Sequence, residues 1–291
     1  MSAPAEAPVE RPRSLEEALR ALRDATPETR LMAGGTDLMV ELEIGRTRPD
    51  RVVDLWALDE LRGIAEEDGG LRLGALTTCA ELERSALAAE RADVLVAAAR
   101  EVGAVQIKNR ATLGGNLGTA SPAADLNPVL LALSARVRLR SLDGGRELPA
   151  AEFLTGYRAT ARRPDELIES ILVPARPPGE RRAFRKVGTR RAQAIAKVVV
   201  ALAVECAGGR VAALTAAAGS VAPRTVRLDA LAAELVGHAP EPERIRRAAR
   251  AAAERDASPV DDVRSTARYR REVLYRVLAS LLAELCRNPG P

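Results

Sequence analysis

Residues 112–133 read TLGGNLGTASPAADLNPVLLAL, and no other stretch constrains the fold as much. Gly114, Gly115, Gly118 and Pro122 crowd its first half, Asp125 follows, and the rest turns apolar. A surface loop does not need that composition, and a core helix does not tolerate it. A backbone that bends closely around something does. A shorter stretch makes the same demand: Met32-Ala33-Gly34-Gly35-Thr36-Asp37-Leu38-Met39.

Ala33-Gly34-Gly35-Thr36-Asp37 joins an expected strand over 29–33 to a helix start over 36–43. Glycines let the backbone turn sharply, and free N–H groups at a helix start favour an anion. The loop can therefore cradle a phosphate, or it can be a plain strand-to-helix turn. It is neither GxGxxG nor GxxxxGK, so it carries no Rossmann or P-loop signature. Gly114-Gly115-Asn116 again offers bare backbone, and Thr112 and Asn116 add side-chain donors. Asp125 is placed to accept from sugar-type hydroxyls, to cap the next helix, or both. Two Gly-Gly turns about 80 residues apart, each entering a helix, suggest one extended ligand held from two sides. A dinucleotide has that anatomy.

Composition closes off other classes. The 291 residues are 47% hydrophobic and 29% charged, an ordinary globular balance long enough for two domains. A net charge of +4 is too mild, and 2% aromatics too few, for a nucleic-acid binder that clusters cations among stacking rings. Cys79, Cys206 and Cys286 are far apart, odd in number and without CxxC spacing, so no disulfide framework, zinc site or iron–sulfur cluster is expected in this chain. Reduced thiols fit a cytoplasmic location. His238, the lone histidine, sits in a turn-like Val-Gly-His-Ala-Pro context. Val198–Val204 is the longest apolar run and falls well short of the roughly 20 residues of a membrane span.

The element pattern predicts an α+β chain. Residues 1–12 read as a mobile N-terminal tail. Ser14 and Glu17 form a capping box ahead of a helix to about residue 24. Strands are expected over 51–55 and 71–75, helices over 80–84 and 92–101, and a helix over 125–133 entered through Asp125. A hairpin turns at Asp143-Gly144-Gly145, and a strand over 167–173 closes a first domain spanning 13–176. Ala175-Arg176-Pro177-Pro178-Gly179 is the linker to a second domain over 180–291. There, strands over 184–187, 197–206 and 211–219 predict a three-stranded antiparallel sheet. Helices follow over 228–235, 243–254 and 264–285.

The segment Thr112–Pro128, with Met32–Met39, resembles the FAD-binding medium subunit of the molybdenum hydroxylases, the carbon monoxide dehydrogenase and xanthine dehydrogenase flavoproteins. Phe184–Arg191 with Ile195–Val198, and Ser265–Arg271, resemble the same family's C-terminal domain, so the likeness covers nearly the whole chain after the tail. The resemblance implies a vanillyl-alcohol-oxidase-like FAD domain of two α/β subdomains. FAD contacts would come from Leu31, Met32, Ala33, Gly34, Gly35, Thr36, Asp37 and Leu38 on one side. Thr112, Gly114, Gly115, Asn116, Thr119 and Asp125 would supply the other, with Ile168 and Lys186 as further contacts. Lys186 would stabilise negative charge on a reduced flavin, or it is a surface lysine. Val102 stands where the family has a Phe beside the flavin. The resemblance implies no acid/base catalysis on this chain, and its three scattered cysteines and single histidine predict no metal there. It implies a large partner with a molybdenum cofactor, a small partner with 2Fe–2S clusters, and an external acceptor such as NAD. A standalone FAD oxidoreductase and a flavin-free scaffold subunit are the alternatives.

Overall fold

The computed structural model describes residues 7–287. The chain opens with β1 (Val9–Glu10), α1 (Leu15–Leu22), β2 (Arg30–Met32), α2 (Leu38–Glu43) and β3 (Val52–Asp54). These strands form a parallel sheet in the order β1-β3-β2. Of the tail expected over 1–12, residues 1–6 lie outside the described residues. Val9 and Glu10 pair with Val52 and Val53, so backbone hydrogen bonds hold a segment that composition marked as mobile. Ser14 caps α1 by accepting from Glu17 N at 3.1 Å, but the Glu17 carboxylate accepts from Arg13 N rather than closing the box on Ser14. Ala18, Leu19 and Leu22 bury one face of α1 against Val53, Leu58 and Leu61.

A second layer follows: β4 (Ile64–Glu67), β5 (Gly70–Gly74), α3 (Cys79–Arg84), α4 (Ala86–Arg91), α5 (Asp93–Arg100), α6 (Val105–Lys108), α7 (Leu113–Thr119), α8 (Asn127–Ala132), β6 (Arg136–Ser141), β7 (Gly144–Pro149), α9 (Ala150–Phe153), β8 (Leu154–Gly156), β9 (Ala159–Thr160) and β10 (Leu167–Val173). Its five-stranded sheet, β4-β5-β10-β6-β7, is antiparallel throughout. Its apolar face packs on α5, α7 and α8 through Leu73, Leu95, Leu117, Leu130, Leu139 and Ile171. Aliphatic side chains fill this core almost alone, as a chain with 2% aromatics requires.

The third part comprises β11 (Arg181–Val187), β12 (Val198–Ala207), β13 (Arg210–Gly219), β14 (Val226–Arg227), α10 (Asp229–Leu235), α11 (Pro242–Arg255) and α12 (Ala267–Arg287). Among the described residues its sheet has four antiparallel strands, β11-β12-β13-β14, not the three expected. The fourth is two residues long, too short to show an alternating pattern. Gly208 and Gly209 turn β12 into β13 with φ of 55° and 73°, the paired positive values of a type I′ hairpin. Val198, Val200, Leu202 and Val204 face the helices, while Ala201 and Ala217 join the core of the preceding sheet. Burial on both faces explains the unbroken apolar run of β12.

Candidate functional site

The two glycine stretches meet. Gly34 lies so close to the Arg110 backbone that an added Cβ would stand 1.7 Å from the Arg110 carbonyl oxygen. Chain-to-chain contact, not only room for a ligand, therefore requires this glycine. Gly35 has φ of +77°, which turns the chain toward α2. A Cβ at Gly115 would lie 3.7 Å from the Ala33 Cβ, so the second stretch faces the first. Among the described residues no protein acceptor meets the N–H groups of Gly34, Gly35, Thr36 or Asp37. Such a run of unpaired N–H groups suits an anion.

The second stretch is itself helical, where a loop was expected. Thr112 caps α7 by accepting from Gly115 N at 3.0 Å. Gly114 allows α7 to lie on β5: its Cβ would stand 2.7 Å from both the Ala75 carbonyl oxygen and the Ala75 Cβ. A single turn of cap bonding compensates for the low helix propensity of two adjacent glycines. The helix stops at Ala120, whose φ of 48° is left-handed. Gly118 brings α7 to within contact of the buried Ile168 on β10. The half-buried Asn116 presents a buried Oδ1 with no protein partner.

Asp125 does not cap a helix. Helix α8 starts two residues later with Leu126 as its cap, and Asp125 turns instead to the C-terminal domain. Its Oδ2 accepts from Lys186 Nζ at 2.7 Å, and Lys186 also donates to the Glu101 carbonyl at 2.9 Å. The Lys186 side chain is 5% exposed and that of Asp125 12%, so this is a buried ion pair and not a surface lysine. Burial pushes the Asp125 carboxyl up to about 6, against the pull of Lys186 and with help from Glu101. Asp125 Oδ1 is buried and has no protein partner. Cys79 is fully buried close by. Burial, then the Glu83 and Asp125 charges, push its thiol up to about 12, so it stays protonated in the core.

The remaining expected residues surround this centre. Leu31, Met32, Ala33, Thr36, Leu38 and Thr119 are half-buried, and Val102 packs at the edge of the core beneath. Asp37 is exposed and serves differently: with Glu41 it holds Arg158, at 2.6 Å from the Asp37 carboxylate. Sequence reasoning missed two arginines, Arg158 and Arg110. Arg158 occupies the left-handed turn between β8 and β9, and nothing local marks its reach of 121 residues to Asp37. Arg110 stacks 3.6 Å over the Trp56 ring, which Arg62 also contacts at 4.5 Å, and donates from Nε to the Gly34 carbonyl at 3.3 Å. It thus binds the two stretches through both backbone and side chain.

Together these groups fit FAD: free N–H groups suit phosphates, and the open oxygens of Asn116 and Asp125 suit hydroxyl or ring N–H donors. Replacing Arg110 by Ala removes the tie to Gly34 and the stacking on Trp56. FAD affinity is expected to fall about tenfold, the equivalent of one weak hydrogen bond plus an exposed cation–π contact. Trp56 is the only tryptophan, so its fluorescence should change in the same variant. Unchanged affinity would remove Arg110 from the site.

Residues 5–176 match the family described as FAD binding domain in molybdopterin dehydrogenase, and residues 182–285 match CO dehydrogenase flavoprotein C-terminal domain. The chain is 32% identical, over 96% of its length and 94% of the relative's, to subunit alpha of the 6-hydroxypseudooxynicotine dehydrogenase complex of Paenarthrobacter nicotinovorans. It is 32% identical to the xanthine dehydrogenase FAD-binding subunit of Escherichia coli O157:H7, over 74% of each chain. In structure it is similar to a chain of carbon monoxide dehydrogenase from Hydrogenophaga pseudoflava lacking the Mo-pyranopterin moiety of its cofactor. There the TM-score is 0.91 and the identity 29%, with 96% of both chains covered.

Proposed function

The chain belongs to the FAD-binding flavoprotein subunits of the molybdopterin dehydrogenases, and from that membership we propose that it is the electron-transfer subunit of a three-component molybdenum hydroxylase. Electrons would leave substrate at a molybdenum cofactor on a large partner and pass through 2Fe–2S clusters on a small one. They would then reach the flavin on this chain and go on to an external acceptor, for which NAD is one candidate. The bound FAD would supply the redox chemistry, and the protein its position and electrostatics.

The observation that carries this reading is the meeting of the two stretches beside buried, unpartnered oxygens of Asn116 and Asp125. The N–H groups of 34–37 would hold the diphosphate, and Asp125 Oδ1 would accept from a donor of the cofactor. Lys186 fixes the other oxygen of that carboxylate and brings a positive charge from the C-terminal domain to the site. Asp125 balances that charge, so the pair offers a ligand an oriented dipole rather than a net positive charge. The sheet pair of residues 13–176 supports the vanillyl-alcohol-oxidase-like reading of the FAD domain, with 180–291 as the second unit. Three free thiols support a cytoplasmic location, and among the described residues no helix is long and apolar enough to cross a membrane.

The test is an absorption spectrum of the purified chain with chromatography of the heat-released cofactor. One equivalent of FAD, with the visible absorption of an oxidised flavin, is the expected result. Co-purification of molybdenum and iron–sulfur subunits should follow. A folded chain that refuses added FAD would overturn the assignment.

A further inference from the structure

Cys206 and Cys286 are 80 residues apart, yet their sulfurs lie 3.9 Å from each other. Each arrives there by continuing an inward face past the rim of the core. On β12 the side chains of Val198, Val200, Leu202 and Val204 point to the helices, and Cys206 is next in that alternation. A register shift between Glu205 and Cys206 in the pairing with β13 marks where the strand bends at its end. On α12 the buried Leu274, Leu278 and Leu282 recur at four-residue intervals, and Cys286 is next in that series. Both cysteines are half-buried and border the C-terminal core. Arg181 donates to the Leu285 carbonyl at 2.5 Å, tying β11 to the last turn of the same helix.

We propose that Cys206 and Cys286 are an oxidation site, closing to an intramolecular disulfide when the chain meets hydrogen peroxide and thereby locking the end of α12 to the end of β12. The sulfurs must approach from 3.9 Å to about 2.05 Å, a distance that side-chain rotation at a strand end and a helix end can cover. One thiol is oxidised by the peroxide to a sulfenic acid with release of water. The second sulfur attacks that sulfur and displaces a second water. Overall the two thiols lose two protons and two electrons, and one peroxide becomes two waters. Burial and the neighbouring Cys206 sulfur push the Cys286 thiol up to about 12, which keeps it protonated near neutral pH. The scarce thiolate slows attack on peroxide, so closure needs excess oxidant, and it is the second sulfur beside Cys286 that makes the bond possible. Cys79 is fully buried on α3 in another core cluster, and takes no part.

The site is tested on the full chain by thiol titration under denaturing conditions and by intact mass, before and after peroxide. Treatment should lower the titre from three free thiols to one, with a mass loss of two hydrogens and a proteolytic fragment joining the peptides of Cys206 and Cys286. The melting temperature should rise by roughly 5 °C or more, because the bond closes a long loop of the unfolded chain. Cys206→Ser, checked for an unchanged resting melting temperature, should keep both remaining thiols out of any intramolecular bond and show no rise. A titre that stays at three overturns the proposal. So does oxygen added to sulfur without cross-linking, or a cross-link that runs only between chains.

Discussion

Gly34→Ala is expected to produce a folded chain that retains almost no flavin. The new methyl would stand 1.7 Å from the Arg110 carbonyl oxygen and 2.4 Å from its carbon. Those atoms are backbone, so no rotamer change relieves the clash, and the two stretches must move apart. Overpacking of this kind costs about 1–3 kcal/mol. That is small against the stability of a chain with three separate core clusters, so the damage stays local. It is large for binding, because the Ala33–Gly115 approach is lost with it. Gly35→Ala is the informative contrast. Its positive φ of +77° strains any side chain by about 1–2 kcal/mol, but its Cβ would meet only side-chain atoms of Met39 and Met32 at 3.5 Å and 3.6 Å. It should weaken FAD retention less. The check is flavin absorbance per chain after gel filtration. Full occupancy in Gly34→Ala would show that the junction of the two stretches is not needed for binding.

Lys186→Met should be the most destabilising single substitution at the site, and its cost should depend on pH. Removing Lys186 leaves Asp125 as a buried carboxylate without its cation, a situation that costs about 3–5 kcal/mol. The Asp125 carboxyl is already raised to about 6 with Lys186 present. Without that attraction it rises further. A carboxyl raised in the folded state binds its proton more tightly folded than unfolded. Stability therefore falls as pH rises from the unfolded value near 3.8 through the raised folded value. Denaturant melts should show a large loss at pH 8 and a smaller one at pH 5, where Asp125 takes up a proton. The double variant Lys186→Met/Asp125→Leu removes both charges and should recover most of the stability. It should not recover FAD affinity, since the open carboxylate oxygen is gone. A pH-independent loss, or a double variant that binds FAD normally, would remove the ion pair from the cofactor site.

Much of the fold was legible because local chemistry and burial agreed. Leu167–Val173 alternates as a strand and is one, with its bounds as expected. The hairpin at Asp143-Gly144-Gly145 and the Ser14 cap of α1 carry their own geometry in their residue types. Departures from expectation came where a distant partner decided the outcome. Val9–Glu10 is a strand only because β3 offers an edge. The fourth strand of the C-terminal sheet exists only because β13 extends past it. TLGGNLGT is a helix because Thr112 caps it and Ala75 needs glycine opposite, neither of which a propensity scale records.

The site divides in the same way. The two glycine stretches and Asp125 stand out in the chain because glycine pairs and a buried-motif carboxylate are unusual locally, whatever surrounds them. The reason for the glycines did not stand out: Gly34 and Gly114 answer to protein backbone, not only to a ligand. Asp125 could be read as a helix cap until Lys186, 61 residues away, was seen to hold it. Arg110, Arg158 and the Cys206–Cys286 approach carried no signal at all, since each depends on segments far apart in sequence. By itself, then, the sequence determined where the backbone had to be bare and which residue types would meet a ligand, because those are properties of single residues and short spacings. Only the tertiary structure decided which charges are paired, which oxygens stay open and which sulfurs touch, because a contact between distant segments belongs to the packing and to neither segment alone.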